Sequence, residues 1–240
     1  MTRVTRLIAA VCLSASLPAV AATIVSGNAN PNLAGRAAGY LCCFGDSVAT
    51  EPATLLSGVP FVGGNRLTFS VTGTVSNGPG QTTGVIPGIP DGSSLINMTN
   101  YGDGISAPSG VGFNSLVGVF LDASNPTGMT TPAELDFSGG LGFTNLSPEL
   151  RQIFFIGDGR TTLNAGPSAG SAQEFFVPTG ATRLFLGTAD GFGWFNNSGD
   201  FNVTASVVNG TTVIPLPPSA LLLLAGLGVF GLSARRRRSA

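Results

Sequence analysis

The sequence predicts an all-β domain of the sandwich or jelly-roll type, and three observations support this prediction. Short apolar runs recur along the chain, and alternate residues within them are apolar, as in Leu67, Phe69 and Val71. An alternation of period two is typical of strands that are buried on one face. Glycine and proline separate the runs, and such punctuated short strands build sandwiches and barrels. The clearest runs are 66–73, 115–121, 151–157, 173–178, 182–187 and 201–208.

The N-terminal residues predict export. Two arginines precede an apolar run that closes on the small-residue sequence Ala-Val-Ala. A basic start, an apolar stretch and a small-residue site are typical of a secretory signal peptide, so we assign residues 1–21 to one. The exported domain then spans 22–212. The only helix expected inside it is a short turn at 147–150, which begins with a serine followed by a proline.

The C-terminal residues predict a membrane-spanning helix with a basic end. Residues 219–234 are uncharged and almost wholly apolar. At about 1.5 Å per residue they form a helix about 24 Å long, slightly shorter than a hydrocarbon core of about 30 Å. By the positive-inside rule the arginines that follow stay in the cytoplasm and leave the domain outside, as the signal peptide also requires. These arginines are Arg235, Arg236, Arg237 and Arg238.

Residues 213–240 resemble the PEP-CTERM sorting signals of bacteria. Pro215, Leu216 and Pro217 match the Leu variant of the family's Pro-(Glu or Leu)-Pro motif, and the apolar helix and the arginine cluster follow in the family's order. The resemblance implies a transient stay in the inner membrane, recognition by an exosortase, removal of the tail and release to the cell surface or the exopolysaccharide matrix. The alternative is a plain C-terminal membrane anchor.

The charge and composition of the exported domain exclude several classes of function. The domain holds five arginines, no lysine and twelve acidic residues, a net charge of −7, so we expect it to bind cations and not nucleic acid. The chain has no histidine, which argues against zinc catalysis and against catalytic triads. We therefore predict that the protein is not an enzyme. A carbohydrate-active enzyme that uses Glu134 and Asp136 as its carboxylate pair is the alternative.

Two cysteines of the domain, Cys42 and Cys43, are adjacent in the sequence. An exported protein can form disulfides, but neither cysteine has another partner in the domain. Free thiols, a disulfide between the two neighbours and an intermolecular bridge are all compatible with the sequence.

The segment between the last two predicted strands is rich in oxygen ligands. It reads ADGFGWFNNSGDF and contains Asp190, Asn196 and Asn197, together with the only tryptophan of the chain. Calcium takes six to eight oxygen ligands from carboxylates, amides and backbone carbonyls, so this segment predicts a Ca²⁺ site. The alternative is an ordinary hairpin turn, because glycine, asparagine and aspartate dominate turns for conformational reasons.

The order strand, ADG, aromatic residue, NNSG, strand resembles the C-terminal part of the PA-I-type galactophilic lectins. These lectins have a jelly-roll, galactose-binding-domain-like fold and hold one Ca²⁺ that coordinates sugar hydroxyls directly. The resemblance covers about residues 53–208. It implies side-chain ligands from Asp190, Asn196 and Asn197, and a backbone ligand from Gly193 or Trp194.

The resemblance also implies ligands from earlier loops, with two departures from the family. Asn77, in the loop VTGTVSNGPG, takes the position of a further backbone ligand. The spacing between the aspartate and the two asparagines is one residue shorter than in the family. The family's sugar-contacting histidine is missing, and Asp91 takes its approximate place.

These features together predict an exported, non-enzymatic, Ca²⁺-binding, lectin-like protein of the exopolysaccharide matrix. Asp190, Asn196 and Asp91 are expected to contact carbohydrate, and the ring of Trp194 or Phe192 is expected either to stack on a sugar or to pack at the end of the sandwich. The alternative is a structural protein of the extracellular matrix in which calcium only stabilises the fold.

Overall fold

A computed structural model describes residues 20–77, 89–166 and 168–208 of the chain, and all of them belong to one compact unit. The predicted sorting segment and nearly all of the predicted signal peptide lie outside the described residues. Within the described part, no helix is long and apolar enough to cross a membrane.

The prediction of an all-β fold is confirmed. The described residues form thirteen strands and three single 3-10 turns, without an α-helix. In chain order the strands are β1 Val20–Ser26, β2 Leu41–Cys42, β3 Asp46–Ser47, β4 Thr54–Leu56, β5 Arg66–Asn77, β6 Leu95–Ile96, β7 Val111–Gly112, β8 Leu116–Leu121, β9 Asn145–Leu146, β10 Ile153–Phe155, β11 Glu174–Phe176, β12 Arg183–Thr188 and β13 Asn197–Val208.

The strands form two larger sheets and two short two-stranded ones. The five-stranded sheet has the order β1-β13-β5-β11-β9, and the four-stranded sheet has the order β10-β8-β12-β4. Strands β5 and β13 pair antiparallel along their whole length, from Asn77 opposite Asn197 to Arg66 opposite Val208. The chain passes from the four-stranded to the five-stranded sheet between β12 and β13, so the segment predicted to bind calcium connects the two sheets.

The two larger sheets share one hydrophobic core. The alternation predicted for β5 is present, because Leu67, Phe69 and Val71 are all buried. Phe154 of the four-stranded sheet contacts Phe175 of the five-stranded sheet, with ring centroids 5.6 Å apart. Aromatic rings that meet from opposite sheets bury a large apolar area and favour tilted geometries like this one. The contact therefore joins the inner faces of the two sheets.

Each of the six predicted runs contains a strand, but two details of the prediction need correction. The last strand begins at Asn197 and not near residue 201. The helix expected at 147–150 is wrong, because the segment has no helical turn. There the backbone N–H of Glu149 donates to the side chain of Gln152 at 2.7 Å, and the side-chain amide of Gln152 donates to the carbonyl of Ala133 at 2.9 Å. The side chain of Gln152 thus holds this segment in a non-helical conformation.

The N-terminal part of the domain contributes a strand to the five-stranded sheet. Strand β1 pairs with β13 over seven positions, from Val20 opposite Ser206 to Ser26 opposite Asp200. It begins two residues before the predicted cleavage position. The segment from Ile24 to Pro52 therefore begins within the same domain.

Candidate functional site

The candidate site is the loop 189–196, which connects β12 to β13. Its first residue is fixed by two backbone bonds, because the N–H of Ala189 donates to the carbonyl of Ser115 and its carbonyl accepts from the N–H of Asn114, both at 2.8 Å. At its end, Asn197 lies opposite Asn77 in the β5–β13 ladder. The loop is therefore held at both ends by regular backbone pairing.

Asp190 is the buried carboxylate of the loop, and its side chain is only 3% exposed. One carboxylate oxygen, Oδ1, accepts from the backbone N–H groups of Gly191 at 2.6 Å and Phe192 at 3.3 Å. The other oxygen, Oδ2, accepts from the side-chain amide of Asn197 at 3.0 Å. Burial raises the pKa of the Asp190 carboxyl above its usual range.

No arginine side chain forms a salt bridge with Asp190 within the described ranges, where the only two ion pairs involve Asp103 and Glu174. A buried carboxylate that has hydrogen bonds but no positive partner carries an uncompensated charge. Such a charge favours either a proton or a cation, so this part of the molecule is electrostatically suited to a metal ion.

A cavity of about 370 Å³ opens beside Asp190. It brings together four of the residues that the sequence predicted, and it adds Ile96, Asn97 and Phe113, which the sequence did not indicate. Its lining residues are Asn77, Ile96, Asn97, Phe113, Asp190, Gly191, Phe192 and Asn196.

Two amide oxygens of the site are buried without a hydrogen-bond partner among the described residues. These are Oδ1 of Asn196 and Oδ1 of Asn197. A buried acceptor that lacks a donor costs free energy of about 1–3 kcal/mol. Rotation of the Asn197 amide by 180° would turn its Oδ1 towards Asp190, which is favourable only with a cation or a proton between the two oxygens. The orphaned oxygens and the carboxylate are ligands that Ca²⁺ accepts.

The charge of this set of ligands is low. Over the three described stretches, no group of three or more Asp, Glu, Cys or His side chains is close enough to hold a metal ion. A cation bound here would therefore take one carboxylate, from Asp190, and otherwise amide and backbone oxygens. That composition is compatible with calcium and is a poor match for zinc, copper and nickel, which prefer nitrogen and sulfur ligands.

The ring of Trp194 belongs to the core. It is fully buried, and its indole Nε1 donates to the backbone carbonyl of Thr188 at 2.9 Å. Its backbone carbonyl accepts from the N–H of Asn197, and it does not line the cavity. Of the two aromatic residues expected to meet a sugar, only Phe192 is placed at the surface, where 61% of it is exposed.

Asp91, the predicted substitute for the family's histidine, is buried. It does not line the cavity beside Asp190. Its Oδ1 accepts from the backbone N–H of Asp158 at 2.8 Å, and its Oδ2 accepts from that of Asn164 at 2.7 Å. Both carboxylate oxygens thus stabilise the loop that follows β10. Glu134 and Asp136, the carboxylates of the enzymatic alternative, are both exposed.

Asp46 is a residue of the site that sequence reasoning missed. It is buried, and its Oδ2 accepts from the side-chain amide of Asn30 at 3.1 Å and from the backbone N–H of Trp194 at 3.0 Å. Burial raises the pKa of its carboxyl. Because 148 positions separate Asp46 from Trp194, no local pattern in the sequence predicts this contact, which joins the segment 41–47 to the loop 189–196.

Cys42 and Cys43 form a disulfide with each other, which decides between the three states that the sequence left open. The bridge lies at the start of the segment that leads to Asp46, and Cys42 pairs with Asp46 in the small β2–β3 ladder. Cys43 and Phe44 both have a positive φ, of 55° and 66°, a conformation that is uncommon for residues other than glycine.

No protein-family model matches the chain, and comparison with curated proteins finds no relative. The residues of the site are therefore the basis for proposing a function.

Proposed function

We propose that this protein binds Ca²⁺ at the loop 189–196 and acts as an exported, non-enzymatic, lectin-like protein. The observation that carries the proposal is the buried carboxylate of Asp190, which has no cationic side chain as partner among the described residues and borders a cavity with Asn77 and Asn196. Calcium would be held by Asp190, by the amide oxygens of Asn196 and Asn197, and by backbone carbonyls of the loop.

The proposed fold is a jelly roll of the galactose-binding-domain-like type. A five-stranded and a four-stranded sheet around one core support it, as do the order of the strands and the position of the loop between the sheets. The bound ion would keep the loop rigid and present open coordination positions to vicinal hydroxyls of a carbohydrate, since Ca²⁺ accepts neutral oxygen ligands readily.

Isothermal titration with CaCl₂ tests the calcium site. The full chain is titrated in a mild detergent, because its C-terminal segment is apolar. We expect saturable binding by the native protein, and none by Asp190→Asn, which keeps the size of the side chain but loses its charge. Asp200→Asn is the matched control, because Asp200 is exposed in β13 and should bind calcium as the native protein does. Equal binding by both variants would contradict the proposal.

A structural matrix protein in which calcium only stabilises the fold is the second candidate. It is favoured by the position of the loop between the four-stranded and the five-stranded sheet, because an ion bound there would reinforce the connection between the two sheets. A glycan array probed with and without a chelator separates the two candidates. Calcium-dependent glycan binding supports the lectin, and calcium binding without any glycan signal supports the structural role.

We also propose that the chain is exported and then sorted through its C-terminal segment. The support is the sequence motif Pro215-Leu216-Pro217, the apolar stretch after it and the terminal arginines. Replacement of Arg235 to Arg238 by serine should leave the protein unprocessed in the host's membrane fraction or misdirect it. Normal cell-surface release of this variant would refute a sorting role for the arginines.

A further inference from the structure

The loop 189–196 carries an exposed apolar surface next to the cavity. Phe192 and Phe195 project from the loop, and Phe44 and Leu41 come from the segment across from it. Their exposed fractions are 61%, 64%, 78% and 69%. The rings of Phe44 and Phe192 are in contact, with centroids 5.2 Å apart and planes tilted by 51°. We call Phe44 and Phe192 the aromatic pair.

The aromatic pair is held in place by contacts below it. Asp46 accepts a hydrogen bond from the backbone N–H of Trp194 and so connects the segment 41–47 to the loop 189–196. The disulfide between Cys42 and Cys43 constrains the turn before Phe44. The positive φ of Phe44, 66°, costs free energy in a residue with a Cβ, and such strain is maintained where the surrounding structure or a function requires it. The fold therefore holds the apolar ring of Phe44 in solvent although its backbone conformation costs free energy.

The surroundings of the aromatic pair indicate what it binds. Phe192 belongs both to the pair and to the lining of the cavity. That lining also includes the polar residues Asp190, Asn77, Asn97 and Asn196, together with Ile96 and Phe113. A ligand that covers the pair and reaches into the cavity must be apolar on one face and rich in hydroxyls along one edge. A pyranose ring has this character, with a C–H face and a hydroxyl edge. A flat apolar partner would leave the buried amide oxygen of Asn196 without a donor.

We propose that Phe44 and Phe192 form a stacking platform for a pyranose ring whose hydroxyl edge points into the Asp190 cavity. The inference rests on the proposed calcium-dependent carbohydrate binding and adds the residues that hold the ring. It assigns a ligand contact to Phe44, which lies 148 residues before Phe192 and outside the loop. The role of the disulfide between Cys42 and Cys43 is then to position Phe44.

Affinity electrophoresis of the full chain tests the platform. Native gels in mild detergent and CaCl₂ contain mannan, dextran or agarose, which present pyranoses of three configurations. We expect at least one polysaccharide to retard the native protein. Phe44→Ala and Phe192→Ala should each weaken that retardation by about tenfold in Kd, the effect of removing an aromatic anchor from a small interface. Leu55→Ala, which truncates an exposed apolar side chain on β4, is the matched control and should migrate like the native protein.

Two further readouts separate the possible failures. If calcium does not raise the melting temperature of the native protein, the proposed calcium site is refuted, and the platform that rests on it is refuted with it. If calcium stabilises all variants equally but no polysaccharide retards the native protein, or the Phe→Ala variants are retarded as strongly as it is, the platform is refuted. If the native protein is a dimer and Phe44→Ala is a monomer, the platform is also refuted, because the aromatic pair would then be a contact between two copies of the chain.

A conservative variant distinguishes a ligand contact from a structural role. Phe44→Trp should keep the retardation, and its exposed indole should shift its emission to shorter wavelength when the polysaccharide is added, because the only native tryptophan is buried. Retained binding without any change in emission would exclude contact between residue 44 and the sugar.

Discussion

The buried carboxyl groups of Asp158 and Asp91 predict an unusual dependence of stability on pH. Both side chains are buried, and the nearby charge of Asp91 adds to the effect of burial on Asp158, which raises the pKa of Asp158 to about 6. The Oδ1 of Asp158 accepts from the backbone N–H of Arg160 at 2.9 Å, while its Oδ2 has no partner by hydrogen-bond geometry among the residues described. Replacing Asp158 by asparagine removes the charge and keeps the acceptor.

The size and the sign of the effect follow from the pKa. Because the ordinary value is 3.8, the rise of about two units corresponds to at most about 3 kcal/mol between the two protonation states. A carboxyl whose pKa is raised by folding stabilises the fold while it is protonated. Its contribution is complete below about pH 4 and is lost as the pH rises through about 6.

Urea denaturation between pH 4 and pH 7.5 measures this contribution. We expect Asp158→Asn and the native protein to have similar free energies of unfolding at pH 4, and the variant to be more stable by up to about 3 kcal/mol at pH 7.5. Asp200→Asn, at an exposed position, should follow the native curve. Parallel curves for the native protein and Asp158→Asn, or a less stable variant at pH 7.5, would show that the buried pair of carboxyl groups does not control the pH dependence.

Three further predictions concern the contacts that support the loop. Trp194→Phe should lower the free energy of unfolding by about 1–3 kcal/mol in urea, because the buried carbonyl of Thr188 loses the indole N–H; no change would contradict this. Asp46→Ala should lower the melting temperature more than Asp46→Asn, which can still accept from the N–H of Trp194; equal melting temperatures would argue against that bond. Reduction of the bridge between Cys42 and Cys43 should speed hydrogen exchange in the segment 41–47 but not in β5 or β13; unchanged exchange would show that the disulfide does not hold the segment.

The strands could be predicted from the sequence where one face is buried and the other is exposed. In β5 the alternation of apolar and polar residues matches the alternation of buried and exposed positions, because Leu67 and Phe69 are buried while Ser70 is exposed. Strand β13 begins earlier than its apolar pattern does, because Asn197 and Ser198 are polar and join the sheet by pairing with Asn77 and Ser76 of β5. Such pairing depends on a distant strand and leaves no local signal.

The candidate site could be predicted only in part for the same reason. Asp190 and Asn196 are close in sequence, so the composition of one loop indicates them. Asp46 and Phe44 reach the site from a segment about 150 residues away, and nothing in their own surroundings marks them as neighbours of the loop. Trp194 was ambiguous from sequence, because an aromatic residue in a turn can either stack on a ligand or close the core, and only its burial decides between them.

A crystal structure of the full chain with Ca²⁺ is the decisive test of the calcium site. We predict one ion that Asp190, Asn196 and Asn197 coordinate through side-chain oxygens at about 2.3–2.6 Å. The amide of Asn197 should be rotated so that its Oδ1, and not its Nδ2, lies towards Asp190. A structure in saturating calcium with no ion at this loop, and with the Asn197 amide still donating to Asp190, would show that the loop is not a calcium site.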